Sequence, residues 1–313
     1  MNWYSLNQMN DQLVAALEAG GTKMVAALAS GPEGILIRER IETTSPEVTI
    51  ANLVNFFSKA AVDYGAPAVL AVGTFGPADL DPKSVSYGMI TSTPKPGWSQ
   101  TDLLGPLREA LGEIPVVFET DVNAALMGEV KWGAARGMDD AAYFTIGTGI
   151  GGGLMVAGNL VHGAGHPEMG HMRVTRHRAD EFAGICPFHG DCLEGLAAGP
   201  ALQSRWGAPA NELPSDHPAW EIEADYLAQA CQNLLMIAPP ARIVLGGGVM
   251  HQEQLFPLVR SRLRELLANY LDRDYLEGDL ASLIVPPDLG DNAGLLGCVA
   301  LGLRELENLR ASL

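Results

Sequence analysis

Residues 142–161 read AYFTIGTGIGGGLMVAGNLV. An apolar run at 142–146 enters a glycine-rich turn at 147–153. A second run follows at 154–157, then a Gly158-Asn159 turn, and Leu160-Val161 begins a third run. Short apolar runs bounded by glycine read as buried strands. The stretch is therefore strand, glycine hairpin, strand, turn, strand. The same design opens the chain: a strand over 13–18, the turn Gly20-Gly21-Thr22-Lys23, a strand over 24–29, a turn at 31–34 and a strand over 35–41. Two copies about 130 residues apart predict a repeated α/β layout, carried by the order of elements more than by identical residues. Glycine turns uncover backbone N–H groups, which bind phosphate without side-chain charge. A third glycine run, Gly246-Gly247-Gly248, follows a strand at 242–245. No G-x-x-x-x-G-K-[ST] loop occurs, and GTGIGGG leads into a strand, not the helix of a dinucleotide fingerprint. Two such hairpins, one from each of two lobes, describe a clamp on a polyphosphate tail.

Between the copies, Ser45-Pro46-Glu47 marks a helix start, and apolar residues recur at helical spacing up to Tyr64. A strand at 69–72 runs into the loop GTFGPAD at 73–79. The loop TSTPKPGW spans 91–98, and a helix at 103–111 carries Pro106, expected to bend or restart it. The strand at 116–119 is followed by Thr120-Asp121-Val122-Asn123, opening a helix over 124–137. Asp121 thus lies where a strand ends and a helix begins, the ligand-binding edge of an α/β sheet. Position alone also suits a helix cap. Later elements are helices at 223–236, 252–270 and 292–309, with a strand at 283–285; residues 1–11 read as a polar tail or short helix.

The segment 166–195, HPEMGHMRVTRHRADEFAGICPFHGDCLEG, holds two of the chain's four cysteines and four of its seven histidines. Cys186, His189 and Cys192 stand three residues apart in turn, so one tight turn can aim three soft ligands at a point. Upstream His171 or His177 would complete a tetrahedral zinc set. Glu168 and Glu194 bracket the ligands. A disulfide between Cys186 and Cys192 is disfavoured in a chain read as cytoplasmic.

With 313 residues the chain is long enough for two domains, and it needs no disulfides. A formal net charge of −17 argues against nucleic acid and anionic membranes as partners. It leaves ATP open, because backbone amides and Mg2+ bind that ligand. No long apolar run and no leader pattern is read, which predicts a cytoplasmic protein without a membrane span.

Together, EAGGTK at 18–23, GPAD at 76–79, TDVNAAL at 120–126 and GTGIGGG at 147–153 resemble the sugar-kinase branch of the actin/hexokinase/Hsp70 superfamily. PEMGH with CPFHGDCLEG narrows the resemblance to the ROK family (repressors, open reading frames, kinases). TPKPGW at 93–98 and CPFHGDCLEGLAAGPAL resemble its bacterial fructokinases. The resemblance implies an α/β, two-lobed actin-like ATPase (ribonuclease H-like) fold with mixed central sheets, and ATP and sugar in the interlobe cleft. It implies a smaller lobe from 12–121 plus 296–313 and a larger lobe from 122–295.

The activity implied is ATP- and Mg2+-dependent phosphorylation of a hexose, fructose to fructose 6-phosphate, with glucokinase or mannokinase as the near alternative. A sugar-sensing regulator is the remote one. Asp121 matches the family's base, since phosphoryl transfer to a hydroxyl needs one carboxylate within reach of the attacking oxygen. Glu168, His171 and Glu194 match its sugar contacts, joined by Asn123 and backbone at Gly76. His171, Cys186, His189 and Cys192 match its structural zinc ligands. Gly20, Gly21, Thr22 and Lys23 match one phosphate loop, Gly147, Thr148 and Gly149 the other, and Gly246, Gly247 and Gly248 the adenosine end. Glu18 stands where most of the wider family has Asp near Mg2+, while the fructokinase-like branch commonly shows Glu. Relatives imply a homodimer.

Overall fold

The computed structural model describes residues 12–271 and 273–312, so the tail or short helix read at 1–11 lies outside them. The chain divides into two units. One takes the chain up to Lys131, His162–His166 and everything from Asn292 onward; the other takes Trp132–Val161 and Pro167–Asp291.

In the first unit β1 (Val14–Ala19), β2 (Lys23–Ala29) and β3 (Ile35–Glu42) form an antiparallel meander. After α1 (Pro46–Tyr64) comes β4 (Val69–Thr74), which adds to β1 in parallel. A small ribbon, β5 (Met89–Ile90) with β6 (Thr101–Asp102), and α2 (Leu104–Leu111) intervene. Then β7 (Val116–Thr120) adds to β4 in parallel and closes the order β3-β2-β1-β4-β7. β1, β2 and β4 are covered on both faces, which is why they read as apolar runs, while the edge strand β3 is largely exposed and carries charge. Along β1, Ala15 and Leu17 join the core of Leu53 and Phe57 from α1. Val14 and Glu18, on the other face, meet Gly302 and Gly294 of the closing helix, Ala293–Ala311.

The second unit repeats the plan. β8 (Ala141–Ile146), β9 (Ile150–Val156) and β10 (Asn159–Leu160) form the meander; β11 (Arg242–Gly246) adds in parallel to β8, and β12 (Ile284–Val285) to β11. Its order, β10-β9-β8-β11-β12, has the layout of the first sheet. The mixed α/β architecture with mixed sheets is thus as the sequence led us to expect. A separate core assembles here from residues such as Phe144, Trp220, Tyr226 and Leu263. No helix among the described residues is long and apolar enough to cross a membrane.

Several boundaries differ from the sequence reading. The run Gly151-Gly152-Gly153 is not turn but strand, paired with Thr145, Phe144 and Tyr143. A Cβ on Gly152 would press on Phe144 and Met169, so bare backbone is what lets that strand pack. The helix after β7, α3 (Asp121–Trp132), starts and ends earlier than expected, with Asp121 as its first residue. Pro106 does not restart α2, because it falls in the first turn, where its missing N–H has no intrahelical partner to lose. The helix α4 (Leu193–Ala197) begins at the end of the segment 166–195, and α5 (Gly199–Trp206) follows it. Then come α6 (Ala219–Ile237), α7 (Leu255–Leu267) and α8 (Ala293–Ala311).

Candidate functional site

The expected site residues divide between the units. Glu18, the first glycine turn, Gly76, Asp121 and Asn123 lie in the first; the second glycine turn, Glu168, His171, Cys186, His189, Cys192, Glu194 and Gly246–Gly248 lie in the second.

In the first unit, parallel pairing places Glu18, Gly73 and Glu119 side by side across β1, β4 and β7. A Cβ on Gly73 would lie 2.7 Å from the Ala124 Cβ, 3.0 Å from the Cys298 sulfur and 3.5 Å from the Asp121 Cα. The missing side chain therefore lets α3 and α8 close onto the strand end, and it sets Asp121 there. Burial pushes the Cys298 thiol far up, with further push from the charges of Glu18 and Asp121, so both carboxylates bear on this one spot. Asp121 is half-buried, and its Oδ1 accepts the Val122 N–H at 2.9 Å. Asn123 is only 2% exposed, and its Nδ2 donates to Glu119 Oε1 at 3.0 Å.

The first glycine turn is a tight β1–β2 connection in which the Gly20 N–H donates to the Lys23 carbonyl at 3.0 Å. Thr43 braces it by donating its hydroxyl to the Gly20 carbonyl at 2.7 Å. The Cδ of Lys95 lies 4.0 Å from where a Gly21 Cβ would sit, so the aliphatic stem of that lysine passes this turn. Its loop is anchored by fully buried Trp98, whose indole N–H donates to the Thr44 carbonyl at 2.8 Å. Near Gly76, the Ala78 N–H donates to His166 Nε2 at 3.2 Å. His166 and Glu119 are local residues that motif reading misses. Glu119 could be suspected from its place two residues before Asp121; His166 carries no signal, since it is 88 residues from Ala78.

In the second unit the turn between β8 and β9 is narrower than the glycine run. The Gly147 N–H donates to the Gly149 carbonyl at 2.9 Å, and the Gly147 carbonyl accepts from Gly199, the first residue of α5, at 2.8 Å. Glu194 lies against this turn: its Oε2 accepts the Ile150 N–H at 2.9 Å. Its Oε1 stands 4.0 Å from His171 Nε2. Glu168 is exposed and precedes the short helical turn Met169–His171, its carbonyl accepting the His171 N–H at 3.0 Å. At the end of β11, Gly247 holds a φ of +88° and packs against Ile146, where any Cβ would strike backbone. Gly246 and Gly247 open one wall of a cavity of about 690 Å3, lined also by His251, Phe256, Arg260 and Pro287. Arg260 is tied by two donations to the Ile284 carbonyl, at 3.0 and 2.6 Å. The cavity is of a size suited to a drug-sized or nucleoside-sized ligand.

His171, Cys186, His189 and Cys192 bring their ligand atoms within 4.8 Å of one another. Cys186 Sγ is 3.7 Å from Nδ1 of both His171 and His189, and Cys192 Sγ is 3.5 Å from His171 Nδ1. A tetrahedral zinc with ordinary Zn–S and Zn–N lengths separates sulfur from nitrogen by about 3.6 Å. The donor set and spacing therefore fit zinc. Gly190, at φ +68°, reverses the chain between the ligands, with paired hydrogen bonds between Cys186 and Gly190 of 3.1 and 2.9 Å. His177 stands outside the group; its Nδ1 accepts the Ala179 N–H at 3.2 Å. Burial pushes the Cys192 thiol up to about 11, and a bound cation would favour its thiolate. Cys186 and Cys192 are not joined as a disulfide.

A sequence model of the ROK family matches residues 14–305. The fructokinase of Zymomonas mobilis is 44% identical over 94% of this chain and 98% of its own, and that of Pediococcus pentosaceus 41% identical over 95% and 99%. Among solved structures, the ROK hexokinase of Thermus thermophilus superposes with a TM-score of 0.77 at 28% identity, covering 95% of this chain and 99% of that one.

Proposed function

The chain belongs to the ROK family, and from that premise we propose that it is an ATP- and Mg2+-dependent fructokinase that converts D-fructose to D-fructose 6-phosphate. The observation that carries the reading is the near-full-length similarity to proteins named fructokinase, at 41 to 44% identity. In the reaction, a sugar hydroxyl attacks the γ-phosphorus, the bond from phosphorus to the ADP oxygen breaks, and the hydroxyl proton passes to Asp121. The Val122 N–H on Asp121 Oδ1 sets the plane of that carboxylate before the sugar arrives.

Gly76, Asn123, Glu168, His171 and Glu194 hold the sugar's hydroxyls, the carboxylates and the Asn123 amide oxygen accepting and the His171 imidazole donating. The backbone of Gly20–Lys23 and of Gly147–Gly149 holds the phosphates, and Gly246–Gly248 with the adjoining cavity takes the adenosine end. Mg2+, when bound, would neutralise phosphate charge, and Glu18 is the residue we assign to its orientation. Zinc held by the four-residue group would be structural, since four protein ligands would leave no open position. We place the enzyme in the cytoplasm as a homodimer that binds neither nucleic acid nor membrane; sedimentation velocity checks the dimer.

A coupled ATP/Mg2+ assay across fructose, glucose, mannose and N-acetylmannosamine tests the reading, with fructose expected to give the highest kcat/KM. Higher values on glucose or mannose would move the chain to the glucokinase or mannokinase type, and no turnover on any hexose would overturn the kinase reading. Asp121→Asn should lose turnover by at least about 10³-fold while sugar binding, read by calorimetry, persists.

A further inference from the structure

Glu119 is 5% exposed and sits at the end of β7, two residues before Asp121. A buried carboxylate is costly unless its oxygens are bonded, and here both are. Oε1 accepts the Thr120 N–H at 2.8 Å and the Asn123 amide Nδ2 at 3.0 Å. Oε2 meets His162 Nε2 at 2.6 Å. That histidine comes from 43 residues away, in His162–His166, five residues of the first unit flanked on both sides in sequence by the second. Its side chain is 39% exposed, while that of Glu119 is 7% exposed.

The geometry has a chemical consequence. A carboxylate only accepts, so Asn123 must turn its NH2 towards Glu119, which fixes the amide against flipping and reserves its oxygen as an acceptor. The second bond to Oε1 fixes the peptide N–H at Thr120, immediately before Asp121. The contact at 2.6 Å has the length of a charge-assisted bond and holds the Glu119 rotamer from its far side. We propose that Glu119 and His162 are a positioning pair for phosphoryl transfer: His162 holds Glu119, and Glu119 aims Asn123 and the backbone leading into Asp121. The proposal rests on the reading of Asp121 as base and Asn123 as sugar contact. Neither member of the pair touches the reacting atoms; both act through the residues they orient.

The test is steady-state kinetics, with fructose and ATP varied separately, on the wild type, His162→Ala, His162→Gln and Glu119→Gln, together with their melting temperatures. His162→Ala should lower kcat/KM for fructose by about ten- to a hundredfold and leave KM for ATP unchanged, because misplacement of the acceptor side does not reach the nucleotide. His162→Gln keeps an N–H that can donate to Oε2, and it should recover most of the loss. Glu119→Gln keeps the Oε1 acceptor but replaces Oε2 with a donor facing His162, so it should fall between the two. It also carries the test if His162→Ala does not fold. Variants within about twofold of wild type, or an equal loss on fructose and ATP that follows melting temperature and that His162→Gln does not rescue, would overturn the pair. A wild type that phosphorylates no hexose would instead overturn the kinase reading and take this inference with it; an active wild type with unresponsive variants overturns the pair alone.

Discussion

Glu223, in α6, is completely buried, and neither of its carboxylate oxygens has a hydrogen-bond partner. Burial pushes its pKa well above the ordinary 4.5, and the nearby Arg205 guanidinium only partly opposes this. Arg205 spends Nη2 on Asp180 at 3.0 Å and on the Leu196 carbonyl at 2.7 Å, while its Nε and Nη1 are unbonded in the interior. A carboxyl whose folded value exceeds its unfolded value makes ionisation oppose folding. Its stability contribution is therefore full below about pH 4.5 and is lost as pH rises towards the folded value. Glu223→Gln should accordingly melt above wild type at pH 8, with the difference closing as pH falls to about 4.5. A variant that melts below wild type at pH 8 would show an ionised Glu223 paired with Arg205. Sequence shows only an acid in an amphipathic helix; that it faces inward, and what faces it, depends on α5 and the loop of Asp180, which no local pattern specifies.

Among elements, the helices announce themselves best. Apolar spacing locates α1, α6, α7 and α8, because a long helix must present a periodic apolar face to bury. The short pieces α4, α5, β5 and β6 leave no such trace; they are held by tertiary contacts, not by their own period. The crossing of α3 and α8 is a contact that spacing does not reveal. Gly128 of α3 lies against the Ala293 carbonyl and Gly297, and a Cβ on Gly297 of α8 would overlap the Ala124 carbonyl. Backbone meets backbone there, so no side chain can give way. Gly297→Ala should cost on the order of 1–3 kcal/mol by overpacking, read as a melting temperature several degrees lower and reduced turnover as Asp121 is displaced with α3. Unchanged melting would mean that the two helices can separate without penalty.

On the scale of the whole chain, each unit has its own apolar core, and the four cysteines report on different parts of it. Cys231 is in the second core with its thiol pushed up to about 12, and Cys298 lies on the buried face of α8, against β4 in the first unit. Cys186 and Cys192 belong to the metal-type group. Chelation of the native protein should make Cys186 and Cys192 reactive to a thiol reagent while Cys231 and Cys298 stay silent, counted by mass spectrometry. Labelling of all four would mean that zinc holds the entire fold together; protection of all four would mean that no metal holds the segment.

Local sequence by itself determined the repeated strand–glycine–strand plan, the helices with a long apolar face, Asp121 at the close of a strand, and the three-residue spacing of Cys186, His189 and Cys192. Each of these follows from periodicity, chain stiffness or spacing within one turn, all of which act over a few residues. Tertiary structure alone decided that His171 and not His177 stands with Cys186, His189 and Cys192. It also decided that Glu119 is held by His162 and that Glu18 and Asp121 bear on one thiol. The physical reason is that polar groups are paired by distance and direction after the sheets have formed. Partners 43 or 88 residues apart leave no periodic mark in either segment, as His162 on Glu119 and His166 on Ala78 illustrate.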